Sequence, residues 1–224
     1  MGETAESRRR SRRKTERPAE LLAAALELFV EHGYAATRLE DVARAAGVSK
    51  GTLYLYFDSK EALFKAVVRE GIVSALECGE RLAAAHRGSA RALLEELLVG
   101  WWDLIGSRKI GGIPKLMFSE CRNFPELCRF YFEEVTRRGL RLIAAALQRG
   151  IDEGEFRDMD VELSAQLVWA PEAFLSLWQH AYGACDPRPV DASAYIRQHL
   201  ELLLHGVLRD TAARSVQGRA KETA

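Results

Sequence analysis

The 224-residue chain has no apolar run approaching the roughly 18 residues needed to cross a bilayer. Its arginine-rich start is not followed by an apolar stretch with a cleavage site, so a cytoplasmic protein with no membrane partner is expected. Cysteine is scarce: Cys78, Cys121, Cys128 and Cys185 lie far apart with no CxxC pair, which excludes a zinc ribbon and a disulfide framework. Reduced, mostly buried thiols are expected instead. The five histidines show no HxxxH spacing, and no GxSxG, P-loop, GxGxxG or HExxH stretch occurs. No metal, cofactor or enzymatic centre is therefore expected. Net charge is also missing, 32 basic residues balancing 32 acidic ones, so overall charge draws the chain to no polyanion.

What is present is unevenly placed. Residues 1–17 hold seven basic residues against three acidic ones, which leaves the remainder slightly acidic. A basic arm ahead of an acidic body suits a nucleic-acid binder whose contacts are confined to one end, or equally a solvated tail. Hydrophobic residues at 48% and charged residues at 29% are the profile of a soluble globular chain, and this length buries a core without staples.

From Pro18 onward apolar residues recur at helical spacing and β-branched runs are nearly absent, which predicts an all-α fold. Leu22, Leu26, Phe29 and Val30 form the apolar stripe of a first helix ending at Gly33. Thr37 with Glu40 three residues later reads as a capping box for a second helix, its Leu39, Val42, Ala43 and Ala46 inward and Gly47 supplying a left-handed turn. Ser49 caps a third helix over 49–57, anchored by Leu53 and Phe57, and a fourth opens at Asp58-Ser59. Further helices are expected over 90–105, 123–150, 161–182 and 192–208.

Two short helices joined by a glycine turn are the helix-turn-helix pattern, whose second helix enters the major groove of DNA. With Leu53 and Phe57 buried, Gly51, Thr52 and Leu55 lie on the opposite face, flanked by Lys50 and Tyr54. Gly51 admits close approach, Thr52 can read a base edge, and Tyr54 and Tyr56 can donate to phosphates. Ser49, a cap, can also touch a phosphate, and Lys60 adds charge at the next helix start.

These residues carry a resemblance. Residues 18–67, with TRLEDVARAAGVSKGTLYLYFDSKEALF at their centre, resemble the DNA-binding region of TetR-family transcriptional regulators. The resemblance implies DNA contact by Thr37, Arg38, Lys50, Gly51, Thr52, Tyr54, Tyr56 and Lys60. Glu40 stands where some members read a base, and the cap is the reading favoured here. It also implies a homodimeric regulator, here expected to be a repressor, in which a larger C-terminal helical domain binds a small effector and dimerises.

The organisation expected is thus a basic disordered arm (1–17), a three-helix DNA-binding domain (18–66), a helical effector and dimerisation domain (67–210) and a disordered tail (211–224). The last two helices are apolar nearly all round, which calls for a symmetry mate on one side. Two recognition helices about 34–36 Å apart would then read a near-palindromic operator in double-stranded DNA. Candidates for the effector pocket are the aromatic and soft residues Trp101, Met117, Phe118, Cys121, Phe124 and Tyr131 in the middle, and Trp169, Phe174 and Trp178 later. Core packing draws on the same residue types. Few charged residues look inward, so the effector is expected to be apolar or amphipathic. Gly111-Gly112 reads as a loop or a hinge. The competing reading is an all-helical ligand-binding protein without sequence-specific DNA binding.

Overall fold

The computed structural model describes the backbone of residues 5–207 and the side chains of residues 17–207. The expected tail, 211–224, and the first four residues of the expected arm lie outside the described residues. Every regular element among the described residues is helical.

Helix α1 (Ala5–Ala36) begins well before Pro18, so from Ala5 the expected arm is drawn into the helix. The stretch between Ala5 and Pro18 contains no glycine or proline and is rich in Arg, which is tolerant of helix geometry. Leu21, Ala25 and Phe29 are fully buried at i, i+4 spacing, with Leu22, Leu26 and Val30 on the flank of that stripe rather than at its centre. Gly33, at φ 83°, breaks the regular geometry near the end, as expected of a glycine in a conformation costly to other residues.

The expected Thr37–Glu40 capping box is absent. Thr37 is buried, and its hydroxyl donates to the carbonyls of Gly33 (2.7 Å) and Leu28 (3.1 Å), satisfying the end of α1 rather than the start of α2 (Leu39–Ala45). The residue preceding α2 is Arg38, which makes no side-chain cap bond. Gly47, at φ 64°, then turns the chain into α3 (Lys50–Tyr54). Ser49 does cap α3, accepting from the Thr52 amide at 3.1 Å. This helix is shorter than the expected 49–57, because the Leu55 and Tyr56 amides bond three residues back, to Thr52 and Leu53. Leu53 is nonetheless fully buried and Phe57 packs against the same core.

Ser59 caps α4 (Lys60–Val68). A π-helical turn, Arg69–Val73, leads from it directly into α5 (Ser74–Ala85). The body continues with α6 (Ala90–Trp101), a second π turn Trp102–Gly106, a short turn Lys109–Gly111, and α7 (Gly112–Glu120). Next come α8 (Pro125–Tyr131), a third π turn Phe132–Thr136, and α9 (Arg137–Asp152). Helices α10 (Val161–Tyr182) and α11 (Ala192–Val207) close the fold where the spacing predicts them.

Packing forms two cores. The first joins α1–α4 to Ile105, Ile113, Leu116, Met117, Leu127 and Phe130, so the N-terminal head and part of the body share one interior across residue 67. The second gathers α6, α9, α10 and α11 around Leu94, Leu147, Phe156, Val168 and Leu175. Gly111 and Gly112, read as a loop or hinge, are instead a tight junction. Both are buried, Ser176 on α10 donates to the Gly111 carbonyl at 3.0 Å, and a Cβ on Gly112 would stand 2.6 Å from Val30 of α1. Glycine here permits close approach of two helices. Lys109 adds ion pairs to Glu27 (2.6 Å) and Glu31 (3.0 Å) of α1.

Candidate nucleic-acid interface and ligand cavity

The head presents α3 to solvent. Leu55 is 82% and Tyr54 42% exposed, and Arg38, Ser49, Lys50 and Gly51 are exposed beside them, with Thr52 half-buried. Lys50 joins these residues to α2: its ammonium meets the Glu40 carboxylate at 2.5 Å and lies 5.8 Å from the Tyr54 ring centre. The hydrogen bond to Lys50 is the main cause holding Glu40 below the usual carboxylate range, and the same bond raises Lys50. Glu40 is therefore a partner of Lys50, not the cap inferred from spacing. Ser49 and Thr52 hydroxyls are 2.9 Å apart.

Three sequence candidates sit differently. The Thr37 hydroxyl is buried and spent on α1, so it is not on this face. Lys60 is turned inward: its ammonium donates to the carbonyls of Tyr34 (2.8 Å) and Ala35 (3.1 Å) and lies 4.5 Å from the Tyr34 ring centre. Burial holds it below the usual lysine range, and Glu120 partly offsets this. Tyr56 is half-buried and packs against the head core.

In the body, a cavity of about 290 Å³ opens between α5, α6, α9 and α10. Trp101, Tyr131 and Trp169, three of the sequence candidates, line it. The other candidates do not. Met117 is buried in the first core, Cys121 and Phe124 pack against that core, and Phe118 is 67% exposed. Phe174 and Trp178 line a separate cleft of about 160 Å³ with Val190 and Tyr195. Aliphatic residues the sequence did not single out, Leu76, Leu97, Leu140 and Ile143, make up much of the wall. The available signal was a set of glycines inside helical patterns. Gly79, Gly100 and Gly139 all line the cavity, and a Cβ on Gly100 would meet no atom within 4 Å.

All three π turns contribute to this wall, through Ile72, Leu104 with Ile105, and Val135 with Thr136. Such turns open a helix locally and recur at functional sites. The first also stands between head and cavity, where Arg69 makes a two-pronged pair with Glu134 of the third (3.0 and 2.6 Å).

Few charged groups were expected to look inward, and Glu172 on α10 is one that does, a fully buried member of the cavity wall. Its Oε1 lies 2.7 Å from His199 Nδ1 on α11. An acidic residue in the middle of an apolar helix gives no sign of its direction until α11 is in place. The thiols also differ from expectation, with Cys78 and Cys185 exposed and Cys121 and Cys128 half-buried. Burial, then neighbouring Cys128, pushes the Cys121 thiol up to about 12, far from a reactive thiolate.

Comparison with known proteins agrees with both halves. Residues 21–67 match the model of the bacterial regulatory proteins of the tetR family, and residues 92–202 match that of the AefR-like transcriptional repressor C-terminal domain. The HTH-type transcriptional repressor KstR2 of Rhodococcus jostii is 30% identical over 196 residues, 87% of this chain and 92% of that protein. The fatty acid metabolism regulator protein of Bacillus subtilis is 26% identical over 87% of this chain and 98% of its own. The crystal structure of the transcriptional regulator FadR from Bacillus subtilis in complex with stearoyl-CoA matches with a TM-score of 0.71, covering 84% of this chain and 98% of that one at 25% identity. With a capped, solvent-facing recognition helix on a head that shares its core with a cavity-bearing helical body, the chain belongs to the TetR family of bacterial regulatory proteins.

Proposed function

We propose that the protein is a homodimeric, cytoplasmic repressor that acts by binding rather than catalysis and leaves its operator when a compact apolar or amphipathic effector fills the body cavity. The observation that carries this reading is continuity: α4 of the head runs through Arg69–Val73 into α5, and residues of that turn and helix form cavity wall. Anything that spreads the wall moves the base of the head, and so the spacing of two recognition helices.

Arg38, Ser49, Lys50, Gly51, Thr52 and Tyr54 are the proposed DNA contacts. Lys50 and Tyr54 hold phosphates and Gly51 and Thr52 approach base edges. The dimer is supported by apolar side chains left in solvent on α10 and α11, where Leu163, Leu167, Phe174 and Leu202 are each more than half exposed. Two-fold pairing of these helices calls for a near-palindromic operator. The repressor sense is supported by the likeness to KstR2. An amphipathic effector is supported by the stearoyl-CoA complex of the Bacillus subtilis regulator. A cavity of about 290 Å³ is at the small end of the range for ligand sites, which favours an occupant shorter than a full stearoyl chain.

The test is binding of the dimer to DNA upstream of its own gene, followed by fluorescence anisotropy across a salt series. Lys50→Ala should reduce the slope of log affinity against log salt by about one, and Tyr54→Ala should weaken binding. Equal affinity for that DNA and a scrambled duplex would favour the competing ligand-binding reading instead.

A further inference from the structure

Glu172 is the one acidic side chain of the described core with no exposure at all, and only half of its carboxylate is accounted for. Oε1 is held by His199, whose side chain is 12% exposed, while Oε2 is sealed from solvent and has no hydrogen-bond partner among the described residues. An ionised carboxylate is an acceptor only, with lone pairs on both oxygens, and burial removes the water that would otherwise fill them. His199 Nδ1 at 2.7 Å can supply one donor and fix the carboxylate's orientation. Glu172 lines the cavity together with Leu97, Ile143 and Trp169 but has no accessible surface of its own, so an occupant reaches its second oxygen only by displacing a neighbouring side chain. A purely hydrocarbon occupant would leave it stranded.

We infer that Glu172 is the recognition point for the polar end of the effector, and that this end carries a hydrogen-bond donor, an O–H or N–H group, on an otherwise apolar body. The inference rests on the reading of the cavity as the effector site and adds to it the chemistry of the head group. A carboxylate-ended ligand meets a like charge here, and an ester or ether end offers a second acceptor to an acceptor. A site built around a buried polar atom rejects an analogue lacking the matching group far more strongly than it rejects a missing methylene.

The probes are 1-octanol, octylamine, 1-methoxyheptane and octanoate, which share a chain and differ in the end group. Trp101 and Trp169 line the cavity, so their fluorescence reports occupancy directly, without DNA. The wild-type protein should bind 1-octanol or octylamine at least roughly tenfold more tightly than 1-methoxyheptane or octanoate. Glu172→Leu should abolish that preference, while Glu172→Gln, which keeps a carbonyl acceptor and the side-chain shape, should retain the alcohol and lose any advantage of the amine. The two donors thereby separate a neutral from a cationic head group. Circular dichroism of both variants establishes that they are folded. If 1-octanol and 1-methoxyheptane bind alike, if octanoate binds best, or if none of the four binds, the assignment falls. Release of operator DNA by the same probes is a separate reading: binding with the Glu172 preference but without release would overturn the effector role and leave the head-group assignment intact.

Discussion

The ammonium of Lys60 lies 2.8 Å from the carbonyl oxygen of Tyr34 and 4.5 Å from the centre of the same residue's ring. It closes the C-terminal end of α1 from a position 26 residues along the chain. A lysine that the family resemblance places on DNA is, in this structure, a tie between the first and last helices of the head. Lys60→Met should lower stability by about 1.5–3 kcal/mol, the range for a hydrogen bond to a charged group, as read by urea unfolding. The salt slope of DNA binding should stay unchanged. A drop of about one in that slope would return Lys60 to the phosphate-contacting set.

Glu40 restrains the lysine that is best placed for phosphate. Its removal as Glu40→Gln should free Lys50, raise affinity for any duplex at low salt, and steepen the salt slope by about one. Specificity should fall in parallel, because the gain is indifferent to sequence. Anisotropy titrations with operator and scrambled duplexes measure both effects.

At the junction of α1 and α7, a methyl on Gly112 would meet Val30 Cγ1 at 2.6 Å and Cγ2 at 2.9 Å. Valine is stiff at χ1 and has little room to yield. Gly112→Ala should cost about 1–3 kcal/mol, and Val30→Ala in the same chain should recover part of it. Thermal unfolding of the two single variants and the double variant gives the coupling.

The body is braced by Arg138 with Glu80 (2.5 and 2.6 Å) and Arg69 with Glu134. In each pair the guanidinium is the main cause holding the carboxylate below its ordinary value of 4.5. A carboxylate with a lowered folded-state pKa stabilises the fold above the unfolded value and loses that contribution as pH falls through the folded one. Melting temperature should therefore decline on acidification below 4.5, and decline less in Arg138→Met. Both pairs are substantially exposed, so solvent screening limits each to about 1 kcal/mol or less.

Much of the molecule was legible because its elements are marked at their ends. Ser49 and Ser59 cap the helices their positions predict, Gly33 and Gly47 adopt positive φ where turns were read, and α10 spans the predicted 161–182. What spacing alone left open concerns side chains with two available partners. Thr37 and Lys60 sit where local spacing offers one role and a distant carbonyl of α1 offers a better one. Glu172 acquires its meaning only when His199, 27 residues away, lies against it. The cavity was half visible for a related reason. Aromatic residues attract attention by type, yet Phe174 and Trp178 belong to a separate cleft, while open space lies at Gly100, where a Cβ would meet no atom within 4 Å. None of the three π turns has a residue pattern that separates it from the α-helix on either side.

The turn at Arg69–Val73 also sets an angle. One extra residue in a helix advances everything beyond it by about 100° and adds about 1.5 Å of rise. The bearing of the head on the body is consequently written into a single residue's worth of backbone. Excising the exposed Glu70 would remove no core side chain while pointing the recognition helix toward the wrong side of the duplex, so the two halves of this protein are phased as well as joined.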